Sequence, residues 1–233
     1  MTTSGTTAFN LDFAELAEEA FERCGKEMRT GYDLRTARRS FNLLTIEMQN
    51  RGINMWTIEE GAINLVDGVS TYDLPADTID LLDHVVRTGS ATTQADLTLS
   101  RISVSTYATI PTKNTRGRPI QVWVQRLRDN PKITLWPVPD RGAVGDPYYT
   151  FKYWRLRRID DAGTGADTPD VVFRFLPALA AGLSYYLSMK FPDVDPNRIA
   201  MLKADYEQQF DLAGQEDREK APVRFVPRMF SPR

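Results

Sequence analysis

The chain holds one histidine, His84, and one cysteine, Cys24, which together bound its nucleophilic and metal chemistry. A Cys/His dyad would need the two within hydrogen-bond reach, and zinc takes about four ligands, more than this pair supplies. Plainer readings are preferred. Cys24 ends an apolar-periodic segment just before Gly25, as a small buried hydrophobe would, and His84 stands beside Asp83 in an apolar stretch that offers no nucleophile or metal partner. The carboxylate pairs Glu18-Glu19, Glu59-Glu60 and Asp160-Asp161 could do acid–base work or hold magnesium, but adjacent side chains point apart on helices and strands alike, so each pair reads as a solvated face. There is no nucleophile elbow, phosphate loop or dinucleotide fingerprint, and the glycines at Gly163 and Gly165 open no helix-initiating pattern. No catalytic residue, metal ligand set or cofactor is expected.

One run does suit a ligand. Lys152, Tyr153, Trp154, Arg155, Arg157 and Arg158 interleave stacking faces with phosphate-seeking charge. On a strand, however, Trp154 and Leu156 would face away from Tyr153 and Arg155, which favours a buried aromatic face with a basic outer face over a binding platform. A formal net charge of -2 gives no electrostatic reason to hold duplex DNA tightly. Hydrophobic and charged fractions of 42% and 26% are those of an ordinary globular protein, and 233 residues suffice for one large domain or two small ones. A single cysteine excludes an intrachain disulfide and fits a reducing cytosol. The opening MTTSGTTAFN has neither a basic n-region nor an apolar h-region, and no apolar run is long enough for a membrane span, so a soluble protein is expected.

The elements that must position these residues are legible as a change of period. Asn10 can cap a helix carrying Phe13, Leu16, Ala17, Ala20, Phe21 and Cys24, with Gly25 as its left-handed stop. A second helix begins near Asp33, aligns Leu34, Ala37, Phe41, Leu44, Ile46 and Met48, and stops at Gly52, so the two should form a helical hairpin. From Trp56 short β-branched and aromatic runs take over, with Asp67-Gly68 as a hairpin signal, and strands are predicted over Ile120 to Leu127, Lys132 to Val138 and Tyr148 to Ile159. Ile79 to Val86 fits neither period, and Ser100 to Ala108 could form one short helix. This region reads as an antiparallel sheet or small barrel. Helical spacing returns where Thr168 caps and Pro169 opens a long apolar helix to about Lys190, with Pro177 either kinking it or marking its true start. Asp195-Pro196 opens the last helix, through Ile199, Leu202, Tyr206, Phe210 and Ala213.

The fold expected is α+β: a discontinuous four-helix bundle from both chain ends, residues 1–55 plus 165–219, with an inserted antiparallel β domain, residues 56–164, and an extended C-terminal arm, residues 220–233. Three prolines forbid helix in that arm, yet Val223, Phe225, Val226, Met229 and Phe230 are apolar. An extended segment of alternating apolar and basic residues suits a groove on another subunit or protein.

Two stretches, ARRSFNLLTIEMQNRGINMWTIEEGAINLVDGVSTYDLP from Ala37 to Pro75 and the run from Tyr107 through IPTKNTRGRPIQVWV to LWPVPD at Asp140, resemble adaptor proteins of tailed bacteriophages, the head-to-tail connector or tail tubular A group. The resemblance is detailed over those stretches and extends in pattern through the final helix pair and the arm. It implies a structural virion protein of the neck or tail, made in the host cytoplasm. Twelve copies would form a ring under the portal protein, link it to the tail nozzle protein and line the channel through which DNA passes without specific binding. Arg224, Phe225, Arg228, Met229 and Phe230 are the expected portal contacts, and Lys113, Asn114, Arg116 and Arg118 the expected contacts with the nozzle or a neighbouring subunit. Another neck or tail completion protein is the nearest alternative; a nucleic-acid-binding packaging factor using Lys152 to Arg158, or a hydrolase with a carboxylate site, are further ones.

Overall fold

The structure, a computed structural model, describes residues 5–6, 9–52, 55–89, 91–141 and 149–218. The protein is mixed α+β, with five α-helices and two four-stranded sheets among the described residues. The chain divides into two compact units, Met1–Met55 with Asp160–Arg233, and Trp56–Ile159.

In the first unit α1 spans Phe13–Arg23 and α2 Gly31–Asn50. The cap of α1 is Asp12 and not Asn10: the Asp12 carboxylate accepts from the Glu15 N–H (2.8 Å) while the Glu15 carboxylate accepts from the Asp12 N–H (3.2 Å). The Asn10 oxygen is spent on the adjacent Leu11 N–H. Gly25, at φ 74°, donates to the Glu22 carbonyl and Lys26 donates to that of Phe21, which satisfies two end carbonyls of the helix. A second reciprocal cap, Thr30 with Asp33, starts α2 two residues earlier than expected. Ala37, Phe41, Leu44 and Met48 are fully buried, but Ile46 is 53% exposed. It stands two residues from both Leu44 and Met48, about 200° round the helix, so it cannot share their face.

The helix expected from Thr168 begins later. Phe173–Phe175 form a 3-10 turn and α4 runs Leu176–Ser188, with Pro177 in its first turn. A proline lacks the N–H an interior position requires, so Pro177 marks the true start. Helix α5, Pro196–Glu216, is capped by Asp195 as expected. The apolar helix α4 is enclosed by α1, α2 and α5. Gly182 makes that enclosure possible, since a Cβ there would meet Leu44 Cδ1 at 2.8 Å and Tyr206 Cε2 at 2.9 Å.

The described residues of the second unit form eight strands. One sheet has the order β1 (Ile58–Asn64), β8 (Tyr149–Arg157), β3 (Thr78–Thr88), β4 (Ala95–Thr98), all antiparallel. The other has the order β2 (Thr71–Asp73), β7 (Lys132–Trp136), β6 (Gln121–Gln125), β5 (Ser100–Arg101), and its β5–β6 pair is parallel, so the unit is not wholly antiparallel. Leu81, Val86 and Phe151 of the first sheet share one core with Val122, Ile133 and Leu135 of the second.

Asp67-Gly68 is a corner and not a hairpin. Its flanking strands β1 and β2 lie in different sheets, and Gly68, at φ 77°, donates to the Pro139 carbonyl. Ile79 to Val86 lies within β3, whose register slips twice, between Thr78 and Asp80 and between Leu81 and Asp83. Each extra residue reverses the side-chain alternation, which is why neither period fits. The short helix α3 runs Val104–Thr109, because Ser100 and Arg101 are taken by β5 and Ser103 supplies the cap.

Candidate functional site

The residues with chemical potential are spread through the fold and form no single cluster among the described residues. Cys24 is buried, its Sγ donating to the Ser184 carbonyl at 3.1 Å, and burial pushes its thiol up to about 11, away from thiolate chemistry. His84 is buried in the β unit, stacked on Phe151 with ring centroids 6.0 Å apart, and neither ring nitrogen has a hydrogen-bond partner. Cys24 and His84 belong to different units. Among the described residues no group of three or more His, Cys, Asp or Glu is placed to hold a metal ion. Of the carboxylate pairs, Glu19 bonds Arg23 at 2.7 Å, and Asp161 accepts from the Gly163 N–H at 2.9 Å.

The basic aromatic run lies on β8 as far as Arg157, and Lys152, Arg155 and Arg157 are each paired with a carboxylate. Arg155 bridges Glu59 (2.7 Å) and Asp77 (2.6 Å), Arg157 bonds Glu59 (2.8 Å), and Lys152 bonds Glu60 (2.8 Å). These contacts hold the Asp77 and Glu60 carboxyls below their usual range. Tyr149, Phe151 and Tyr153 alternate into the core, while Lys152 and Trp154 take the other face. Gly61 on β1 gives Tyr153 room: a Cβ there would lie 2.3 Å from its ring. Acids spaced by one strand position on β1 therefore consume the charge that the run seemed to offer.

Lys113, Asn114, Arg116 and Arg118 share the loop between α3 and β6, which is tied to its own unit. Lys113 donates to the carbonyls of Ala108 (3.3 Å) and Ile110 (3.1 Å), covering the end of α3, and lies 5.4 Å from the Tyr107 ring centroid. Arg116 bonds Asp67 at 2.9 Å, and the Trp136 indole N–H donates to the Thr112 carbonyl at 3.1 Å. Asn114 and Arg118 are exposed. The loop is a pinned, cation-rich surface in which two of the four expected contact residues already hold internal partners.

Arg224, Phe225, Arg228, Met229 and Phe230 lie outside the described residues, but the point where their segment leaves the fold is defined. Asp217, directly after α5, is buried with no exposed side-chain surface; its carboxylate accepts from Arg174 at 2.5 Å and from the Met55 N–H at 3.4 Å. A buried carboxylate without such partners would be strongly destabilising, so the end of α5 is held against the turn that opens α4. Sequence reasoning missed this pair, because Asp217 sits in the charged run QEDREK and looks solvated. It also missed Arg51, which bonds Glu47 (2.5 Å) and Glu207 (2.7 Å) and covers the Phe210 ring at 4.6 Å. Glu47 in turn accepts from the Tyr186 hydroxyl at 2.6 Å; burial and that carboxylate push Tyr186 up to about 12. The only hint in sequence was the i, i+4 spacing of Glu47 and Arg51.

No helix among the described residues is long and apolar enough to cross a membrane. The described residues form two compact units in which most of the candidate charges hold internal partners. A family model described as SU10 adaptor protein matches residues 11–227, and the chain belongs to that family of bacteriophage adaptor proteins. The family is structural and not enzymatic, which bears out the resemblance to tailed-phage adaptors and makes the chain a virion component with portal and tail partners in general. None of the curated proteins matches.

Proposed function

We propose that the protein is the head-to-tail adaptor of its virion, a ring of twelve copies under the portal that joins it to the tail nozzle and lines the DNA exit channel. In this reading α1, α2, α4 and α5 form the four-helix bundle of both chain ends that carries the ring contacts. The inserted β unit is presented to the nozzle through Lys113, Asn114, Arg116 and Arg118. Arg224, Phe225, Arg228, Met229 and Phe230 clamp the portal, with the aromatic and arginine side chains as anchors. The observation that carries the reading is the family match from residue 11 to residue 227, which includes the first of these arm residues. The near-neutral net charge of -2 supports a conduit, because strong attraction would hold the passing duplex.

The test is the mass in solution of the full chain, with and without purified portal, beside a chain ending at Glu219 and the variant Phe225→Ala/Phe230→Ala. A stoichiometric ring on the portal from the full chain, lost in both variants, is the expected result. Equal binding by all three removes the arm from the clamp, and no binding by the full chain removes the adaptor reading.

A further inference from the structure

We infer that in the free subunit the C-terminal arm, residues 220–233, docks in an acidic groove of its own helical unit, between α1 and the start of α4. The groove has a volume of about 510 Å³. Glu15, Glu18, Glu19 and Glu22 line it together with Arg23, and Leu11, Pro177 and Ala180 give it apolar surface. Phe9, also on its border, leaves 74% of its surface exposed. Glu15 is committed to the α1 cap and Glu19 to Arg23, but the carboxylates of Glu18 and Glu22 make no hydrogen bond or ion pair among the described residues.

The arm is the complement. From Lys220 it carries four cations and no carboxylate, alternating with Val223, Phe225, Val226, Met229 and Phe230. Its origin is also right. Asp217 is fixed on Arg174, three residues before Pro177, so the chain leaves α5 at the end of the helical unit where α4 begins. Helix α1 has 11 residues, about 16 Å of length, which roughly five extended residues cover. Attachment through the short stretch from Asp217 to Lys220 raises the effective concentration to about millimolar, which favours the chain's own groove over that of a second copy in dilute solution.

Docked this way, the apolar residues of the arm are withheld until a partner offers a better site, and assembly becomes an exchange of one groove for another. The pairs are exposed, so the contact is weak and salt-dependent, as a parked segment must be if it is to leave.

The experiment uses the full chain with Phe225→p-benzoylphenylalanine, irradiated alone at low micromolar concentration and mapped by mass spectrometry after digestion. Attachment at monomer mass to the peptides holding residues 9–23 and 176–188 is expected, with a yield reduced about threefold or more by Glu18→Lys/Glu22→Lys and by added salt. Attachment elsewhere, attachment only at dimer mass, or a yield indifferent to the two glutamates would each overturn the proposal. Because portal is absent from the measurement, its failure leaves the portal reading standing.

Discussion

Single residues here are informative where polarity is buried. Asp217 has no exposed side-chain surface and depends on Arg174, itself 30% exposed, for its charge partner. Arg174→Met should therefore destabilise the helical unit by about 2–3 kcal/mol, below the range for fully buried pairs because one partner is part-solvated, and urea denaturation followed by helix dichroism measures it. His84 makes the opposite kind of statement. Burial holds its imidazole below the ordinary value of 6.5 and outweighs the neighbouring Asp83 carboxylate, which pulls the other way. Above pH 6.5 the ring is neutral in folded and unfolded chains alike; below it the unfolded chain takes up a proton that the buried ring resists. Stability should therefore fall as pH drops from about 6.5, until the lower folded value is reached. His84→Leu should flatten that part of the profile, and thermal melts of both chains at pH 7.5, 6.0 and 5.0 decide it.

At the scale of elements, what was legible depended on whether the signal was local. Caps and helical stops are local chemistry, so Asp195, Gly25 and Gly52 stand where expected, and even Asn10 missed the true cap by only two residues. Strand partners are not local. Nothing near Asp67-Gly68 tells the chain that β1 will take β8 while β2 takes β7, and a strong hairpin signal became a corner between sheets. The same limit applies to β8: its basic residues are visible in sequence, but the acids that neutralise them arrive from β1 and Asp77 through pairing. The candidate site was legible to a similar degree, since composition singled out the arm but gave no hint of Asp217 as its anchor. Close approach is equally non-local. Gly182 in α4 looks like a weak helix residue, yet Leu44 of α2 and Tyr206 of α5 close over it. Gly182→Val should cost about 1–3 kcal/mol through overpacking despite replacing a poor helix former, whereas a packing-neutral position would tolerate it; the denaturation midpoint separates the two.

For the whole molecule, the decisive geometry is where the β unit begins and ends. Its first strand β1 and last strand β8 are antiparallel neighbours, with Ile58 opposite Leu156, so the chain enters and leaves the unit about 5 Å apart. An insertion with adjacent ends imposes little on its host, because a short connection can replace it without moving the host's flanking residues. The core of the unit is also its own, from Leu65 to Tyr153 in sequence. Cutting the chain at these ends should therefore leave two folded pieces. Residues 56–159 alone should give a dispersed amide spectrum and one cooperative melt, because the ladder from Ile58 to Asn64 ties the new termini into the sheet. Residues 1–55 joined to 160–233 by a few glycine and serine residues should keep the helix dichroism of α1, α2, α4 and α5, since their contacts with α4 lie within the helical unit. If either piece is unfolded in isolation, the insertion is a matter of connectivity only and the two units fold as one. If both hold, either unit can change its surface without unfolding the other, as the proposed division of contacts between the two units would need.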